Sequence, residues 1–425
     1  MARAGRGYGR TGGRGRDAAT VMSSTRTGTL LVVLAYCGFV SLGLPDGLLG
    51  VATPSILATF ALAPEDVGAL LVAFTTGYLV SSFASGTIVA RLGVGTLLAA
   101  SALATAISLG GYATTGSWPV MLACGALSGL GAGAIDAGLN TWVATHHGPR
   151  TVNWLHACYG VGASAGPLVM TAVLAAGRPW RLGYALVGAG QLVLALGFAA
   201  TTRLWSRPAD APGAVLAPAQ PAHGGAHAPV RATLRLPAAW LGAACFFVYT
   251  GLEATTGVWA YSLLTEARGV PIAAAGTWVS AFWGGLTAGR FLFGFVAERA
   301  PLATLLRASF AAAGVGALLL ASNAGDVASA GGLVLSGLAM APIFPSLIAT
   351  TPARVGLRHT GNTVGLQVAA ATLGAALLPA ATGVLVGRLG FEVVAPTVVV
   401  AAVALAALHE LLERLSPGSG GQPIG

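Results

Sequence analysis

The stretch from Gly125 to Trp142 reads GALSGLGAGAIDAGLNTW, and its most polar members are Asp136 and Asn140. In an α-helix these two residues are one turn apart and share a face. The segments on both sides are equally apolar, which predicts a helix surrounded by lipid and by other membrane helices. A carboxylate near the centre of a bilayer costs roughly 2.5–3.5 kcal/mol on insertion scales, so Asp136 is a candidate functional residue.

The composition of the whole chain also indicates a membrane protein. Of its 425 residues 55% are hydrophobic and 8% are charged, with a mean hydropathy of +0.78, which leaves too little charge for a soluble surface. All 22 basic residues are arginines, found mainly in short breaks between apolar runs, and this pattern indicates membrane topology and no nucleic-acid partner. The four cysteines lie inside apolar runs and form neither a disulfide framework nor a CxxC metal site.

Twelve apolar runs, each long enough to cross a bilayer, follow one another between residues 29 and 412. We therefore expect an all-α polytopic membrane protein with twelve transmembrane helices in two six-helix bundles. The expected organisation is a disordered cytoplasmic tail (1–28, with Met22 as a second candidate start), an N-terminal bundle (29–203), a cytoplasmic linker rich in Pro, Ala and Gly (204–235), a C-terminal bundle (236–414) and a cytoplasmic tail (415–425).

The distribution of arginines predicts the orientation of the chain. With the amino terminus inside the cell, the outer side receives only Arg178, Arg181, Arg268 and Arg388. Because cytoplasmic loops carry the excess of basic residues, we expect both termini to be cytoplasmic and the protein to lie in the cell inner (plasma) membrane.

The two halves repeat at a fixed distance along the chain. The sequence Leu-Ser-Gly-Leu occurs at 127–130 and again at 335–338, 208 residues later. The same offset relates Gly86-x3-Ala90-Arg91 to Gly294-x3-Glu298-Arg299. A parallel repeat of two bundles predicts a substrate site between the halves, near the middle of the membrane.

These features resemble the major facilitator superfamily of secondary transporters over residues 29–414. Its signature between the second and third helices, Gly-x3-Asp-Arg-x-Gly, is matched by Gly86, Arg91 and Gly93, although Ala90 replaces the acid. The resemblance implies a gating role for these residues and for Gly294, Glu298 and Arg299. A second signature, Gly-x3-Gly-Pro at residues 162–167, is common in drug and proton antiporters of the superfamily.

Within the superfamily the chain resembles the fucose permease group of sugar and proton symporters. The resemblance rests on Asp46 in Leu-Pro-Asp-Gly, on Asp136 with Asn140, and on Tyr249 with Glu253. It implies proton-coupled uptake of a sugar-like solute by a protein for which a monomer suffices. It also makes Asp46 and Asp136 the first candidates for the coupling proton.

Three acids, Asp46, Asp136 and Glu253, fall inside predicted spans and are the proton-coupling candidates. Leaving all three ionised and unpartnered would cost on the order of 8–10 kcal/mol, so each must be protonated, paired or in contact with water. Arg290 lies nine residues before Arg299, or ~13 Å inside the helix end. It needs a carboxylate partner, or else it binds an anionic substrate.

Other polar and aromatic residues of the predicted helices are candidates for substrate binding. His156 would relay protons, or would be a neutral structural histidine bonded to a backbone carbonyl. Aromatic rings suit the C–H faces of sugars and carboxamides suit their hydroxyls, while the alternative for the tryptophans is helix packing or the membrane interface. The candidates in this group are Asn140, Tyr159, Tyr249, Trp259, Trp283, Asn362 and Gln367.

The sequence therefore predicts a proton-coupled symporter that needs no cofactor and no metal. There is no Gly-x4-Gly-Lys-Ser/Thr loop, which argues against an ATP-driven pump. The nearest alternative is a proton-coupled drug or metabolite exporter on the same fold, and the two differ in the direction of proton movement. An enzyme is disfavoured because His156 and Asp136 lie on different predicted helices with no nucleophile beside them, and a receptor because no loop is long enough for a sensing domain.

Overall fold

The structure, a computed structural model, describes residues 14–147, 149–205, 228–296 and 301–415 of the chain. All regular structure in these ranges is helical. The first half consists of α1 (Arg14–Phe60), α2 (Val67–Leu92), α3 (Val94–Thr114), α4 (Trp118–His146), α5 (Pro149–Ala175) and α6 (Arg181–Thr201). The second half consists of a short α7 (Val230–Thr233), then α8 (Pro237–Ser262), α9 (Ile272–Val296), α10 (Leu302–Ala321), α11 (Asp326–Met340), α12 (Ile343–Val355), α13 (Leu357–Leu389) and α14 (Val394–Leu415).

Each of the twelve predicted apolar runs corresponds to a membrane-spanning element. Within the described ranges, ten spans are long and apolar enough to cross a bilayer, and α8 and α9 have the length with 26 and 25 residues. One of the ten spans contains both α11 and α12, which are separated by a break at Ala341 and Pro342. Pro342 has no N–H to donate to the helix ladder, which accounts for the break. The predicted all-α polytopic fold is confirmed.

Two segment boundaries differ from the expectation. Helix α1 begins at Arg14, inside the segment predicted to be a disordered tail. The end of the predicted linker forms α7, which is docked on the second half through a hydrogen bond from the Ala228 N–H to the Arg358 carbonyl (3.0 Å). Most of the linker, residues 206–227, lies outside the described residues.

Helix packing follows the same plan in both halves. In the first half α1 packs on α5, α2 on α4, and α3 on both α4 and α6. In the second half the equivalent pairs are α8 with α13, α9 with α11, and α10 with α11 and α14. The repeat inferred from the sequence is therefore also a repeat of helix contacts.

Glycines at the 208-residue offset make these contacts close. A Cβ atom on Gly129 would meet the backbone of Phe74 in α2, and one on Gly337 would meet the backbone of Phe282 in α9. Phe74 and Phe282 are themselves 208 residues apart, so the same atoms meet in both halves. Small residues let helix backbones approach in a membrane, where lipid provides no hydrophobic drive for association. Gly77 and Gly285 form another such pair, whereas Gly43 and Gly251, and likewise Gly166 and Gly374, make close helix contacts at the same offset with partners that are not equivalent.

The two halves meet on one side of the bundle. We call the end that carries residues 61–66, 176–180 and 268–271 the loop side, and the opposite end the termini side. The interface pairs α1 with α8, α5 with α9, and α2 with α13. On the loop side of mid-bundle, Gly50 meets Gly257, and the Ser280 Oγ donates to the Ser164 carbonyl at 2.7 Å.

The termini side is open between the halves. One apolar core, which includes Leu48 and Trp259, runs through both halves. A second core around Trp142 and Trp205 belongs to the first half alone and lies on the termini side. His156, on the termini-side part of α5, is exposed although it lies inside a membrane helix. The structure therefore represents a state that is closed on the loop side and open on the termini side.

Adding a methyl group at Gly337 is expected to destabilise the protein by about 1–3 kcal/mol, because the new Cβ would collide with the backbone of Phe282. Gly314→Ala is the matched control, since nothing lies within 4 Å of its Cβ position. Thermal unfolding of the detergent-purified variants measures the difference. A midpoint for Gly337→Ala equal to that of Gly314→Ala would contradict the packing described here.

Cysteines placed at Ser164 and Ser280 are expected to form a disulfide in a background that lacks the four native cysteines, because α5 and α9 touch at this point. A cysteine at Asn153, which is exposed on the termini side, should react with a water-soluble maleimide in the same preparation. Gel mobility with and without reductant detects the disulfide between residues 164 and 280. The mass increase of the labelled protein measures the maleimide reaction at residue 153. Absence of the cross-link while residue 153 reacts would show that the loop side is not closed.

Candidate functional site

Each of the three acids inside the bundle accepts a hydrogen bond from a tyrosine hydroxyl. Tyr159 of α5 donates to Oδ2 of Asp46 in α1 at 2.8 Å. Tyr78 of α2 donates to Oδ2 of Asp136 in α4 at 2.5 Å. Tyr249 donates to Oε2 of Glu253 one turn later in α8 at 2.6 Å. Each of the three acidic residues is partly exposed rather than fully buried.

The close glycine contacts place two of these tyrosines. Gly43 of α1 lies directly against the backbone of Tyr159, which brings the phenol of α5 to the next turn of α1, where Asp46 is. Gly133 of α4 lies against the backbone of Tyr78 in the same way, three residues before Asp136. The helix packing of the fold thus supplies the hydrogen-bond donors for both acids.

Asn140 and His156 complete the surroundings of Asp136. The Asn140 Nδ2 donates to Oδ1 of Asp136 at 3.0 Å, as the shared helix face predicts. The His156 ring lies edge-on to Phe39, with 5.4 Å between ring centroids, and within electrostatic range of Asp136. No hydrogen bond joins the ring to a carbonyl of the described residues, and both roles predicted for His156 stay predictions.

Arg290 faces the same space from α9. Its guanidinium is close enough to the Tyr249 hydroxyl to interact with it, and it lies within electrostatic range of Glu253 and Tyr159. No carboxylate of the described residues lies within 4 Å of it, the limit for an ion pair. Among the described residues Arg290 therefore has no direct carboxylate partner, and the Tyr249 hydroxyl contacts both Arg290 and Glu253.

Comparison with known proteins identifies the family. A family model described as Major Facilitator Superfamily matches residues 35–262, more than half of the chain. The chain belongs to the Major Facilitator Superfamily. Because this superfamily consists of membrane transporters, the chain is a multi-pass membrane transporter and not an enzyme.

Solved structures of transporters share the fold. A bacterial homologue of the human lysosomal transporter Spinster, in an inward-facing and occupied conformation, matches with a TM-score of 0.73 and 16% identity, covering 94% of this chain and 99% of that one. A mutant of the nucleoside transporter NupG matches with a TM-score of 0.73 and 14% identity over 90% of this chain and 99% of its own. At these identities the likeness concerns the fold alone.

A short segment also matches a yeast protein. It is 44% identical over 66 residues to Bypass of stop codon protein 6 of Saccharomyces cerevisiae, which is 16% of this chain. The chain spans only about 13% of the length of that relative. The match therefore carries no argument about activity.

Four of the residues predicted to bind substrate make structural contacts or are buried in the packed interior. The Trp259 indole is fully buried and donates to the Pro379 carbonyl at 2.9 Å, which fixes α8 to α13. Gln367 is buried and accepts from the Thr351 hydroxyl at 3.1 Å. Trp283 is buried against Gly257. A polar or aromatic residue on a membrane helix often hydrogen-bonds a backbone group or packs between two helices. The sequence alone does not distinguish such a structural role from substrate binding.

Asn362 is the fourth of these residues, and it anchors the linker. Its Nδ2 donates to the Ala228 carbonyl at 2.9 Å and to the Thr233 hydroxyl at 3.1 Å. Thr233 also bonds the His359 ring at 2.9 Å. These contacts lie at the termini-side end of α13, away from the acids, and they give Asn362 a structural role, while substrate binding by Asn362 stays an untested prediction.

The first gating motif forms a tight connection at the termini-side end of α2. Gly93 has a φ of +78°, which favours glycine, and its N–H donates to the Val89 carbonyl at 2.9 Å. Gly86 lies within α2, and Arg91 is exposed in its last turn. In the second half Gly294 lies in α9, whereas Glu298 and Arg299 lie outside the described residues.

Tyr78 makes the shortest of these hydrogen bonds but is not among the residues that the sequence predicts for the site. Its partner Asp136 is 58 residues away, so spacing along one helix carries no signal. A signal was present in the 208-residue repeat, since Gly77 and Gly129 mark where α2 and α4 touch. Tyr78 follows Gly77 directly and thus lies beside the α4 contact.

Asn362→Ala is expected to lower the stability of the protein without changing solute affinity. It removes two hydrogen bonds of the linker anchor, each worth about 0.5–1.5 kcal/mol. Asn140→Ala, which removes a donor to Asp136, is expected to change affinity instead. Thermal unfolding and a solute-binding titration on both variants separate the two effects, and a loss of affinity in Asn362→Ala would return that residue to the site.

Proposed function

We propose that the chain is a proton-coupled symporter that moves a small sugar-like solute by alternating access across the cell inner (plasma) membrane. Both termini are cytoplasmic in this proposal, so the open termini side is the inward-facing opening. Asp46 and Asp136 carry the coupling proton, and solute binds between the halves. The observation that carries the proposal is the hydrogen bond from a tyrosine to each of these acids.

A tyrosine hydroxyl suits a carboxyl group that must change protonation state. An ionised carboxylate accepts the phenol hydrogen bond, and so does the carbonyl oxygen of a protonated carboxyl group. The acid therefore keeps a partner in both states, which lowers the cost of each in a low-dielectric setting. Both acidic residues are partly exposed, and in this proposal the proton enters or leaves through the opening on the termini side.

The site also offers the groups that a polyol needs. Carboxylate oxygens accept hydrogen bonds from hydroxyls, and the Asn140 amide and the His156 ring offer both kinds of partner. Glu253 is bonded to Tyr249, which also contacts Arg290. We assign Glu253 to balance the charge of Arg290, and Asp46 and Asp136 to proton coupling.

The exporter alternative loses the support of its motif. Gly162 lies against the Val40 carbonyl and Gly166 against the Leu44 carbonyl, both in α1. The Gly-x3-Gly-Pro motif is therefore explained by close packing of α1 and α5 and carries no information on the direction of transport. The exporter stays as an outcome of the experiment below.

Proteoliposomes that contain a pH-sensitive dye test the proposal. Adding a hexose outside should acidify the interior with wild-type protein, and Asp46→Asn or Asp136→Asn should reduce the initial rate by roughly tenfold or more, about 1.4 kcal/mol of lost interaction. Asp326→Asn, an exposed acid on the loop side, is the matched control and should behave as wild type.

Two outcomes would contradict the symporter proposal. If both Asn variants acidify the interior at the wild-type rate, the coupling proton does not bind to these acids. If hexoses leave the pH unchanged while amphiphilic drugs move protons in the opposite direction, the protein is an exporter.

A further inference from the structure

Arg290 is the one basic side chain of the described membrane interior that faces the acid cluster and has no ion pair within 4 Å. A guanidinium has five N–H donors. The Tyr249 hydroxyl, already bonded to Glu253, has lone pairs for one of them. Arg290 is partly exposed, and none of its nitrogens is among the fully buried atoms without a partner, so the remaining donors are open to a ligand or water.

The internal repeat shows that helix packing does not require an arginine here. The residue 208 positions earlier is Ser82 in α2. Its Oγ donates to the Gly133 carbonyl in α4 at 3.2 Å. The neighbouring Gly289 makes the equivalent contact with α11 in the second half. Contact between α9 and α11 is thus already provided, and Arg290 serves another purpose.

We propose that Arg290 binds an anionic group of the transported solute, which makes that solute an acidic sugar such as a hexonate or a uronate. This inference rests on the proposed function. The carboxylate of the solute takes the bidentate face of the guanidinium. Its hydroxyls face Asn140 and the carboxyl groups of Asp46 and Asp136.

Electrostatics then links proton binding to solute binding. With Asp46, Asp136 and Glu253 all ionised, the site is net negative despite Arg290, and an anionic solute is repelled. Protons on Asp46 and Asp136 remove two of the three negative charges and leave Glu253 to balance Arg290. The solute anion then binds in a neutralised site, and by linkage its binding strengthens proton binding by the same factor. A neutral sugar interacts with Asp46 and Asp136 only through hydrogen bonds, so its coupling to proton binding is weaker than that of an anion.

The experiment compares matched probes on the purified full-length protein and in proteoliposomes. The probes are D-gluconate with D-glucose and D-galacturonate with D-galactose, at two values of pH. The variants are Arg290→Gln, Arg290→Lys and, as the matched control, Arg178→Gln, which removes an exposed arginine on the loop side. Ligand-induced thermal stabilisation measures affinity, and the interior dye measures proton movement.

We expect the acidic probes to bind more tightly than the neutral ones, and more tightly at the lower pH. Arg290→Gln should weaken binding of the acidic probes by roughly tenfold or more and leave neutral sugars unchanged, while Arg290→Lys should restore part of the loss. Arg178→Gln should match wild type. If Arg290→Gln fails to fold, Arg290→Lys and the wild-type pH dependence still test the inference.

Two results would overturn the inference about Arg290. Only the second would also overturn the proposed function. If neutral hexoses drive proton uptake at least as well as the acidic probes, Arg290 does not select an anion, although proton symport stands. If neither class of probe moves protons, the proposed function falls together with this inference.

Discussion

The structure depends on one constraint, which is that a carboxyl group inside a bilayer must keep a hydrogen-bond partner. Three acids lie within the bundle, and each meets this requirement with a tyrosine hydroxyl between 2.5 and 2.8 Å away. For Asp46 and Asp136 the tyrosine comes from another helix. The glycine contacts of α1 with α5 and of α2 with α4 bring the two backbones close enough for a phenol to reach. The same glycine contacts therefore hold the helices together and position the hydrogen-bond donors of the site.

The 208-residue repeat supplies a symmetric scaffold, and the site is where that symmetry is broken. Asp136 and Asn140 of the first half correspond to Phe344 and Ile348 in the second, and Phe344 packs edge-on against Phe246 at 4.9 Å between ring centroids. Conversely, Arg290 corresponds to a serine. The polar residues are thus distributed unequally between the halves, while the glycines that hold each half together are shared. The scaffold is therefore symmetric, whereas the candidate site between its halves is not.

Sequence reasoning predicted what depends on composition and periodicity. The spans, the repeat, the three acids and the shared face of Asp136 and Asn140 follow from hydropathy and from 3.6 residues per turn. The partners of the acids do not follow, because they depend on how each helix is rotated against its neighbours. Trp259 and Asn362 have the right chemistry for a sugar, but one bonds a carbonyl of α13 and the other holds the linker. Only the three-dimensional contacts separate these uses.

Asp46 and Glu253 lie close to the contact between the two halves, so their charges affect that contact. Asp46 lies four residues before Gly50 and Glu253 four residues before Gly257, and these two glycines meet where α1 and α8 touch on the loop side. The two acids lie within electrostatic range of each other. Two ionised carboxylates one turn from this contact repel across it, and one proton removes the repulsion. In the proposed symporter, a proton taken up at Asp46 would therefore act on solute binding and also on the closure of the loop side.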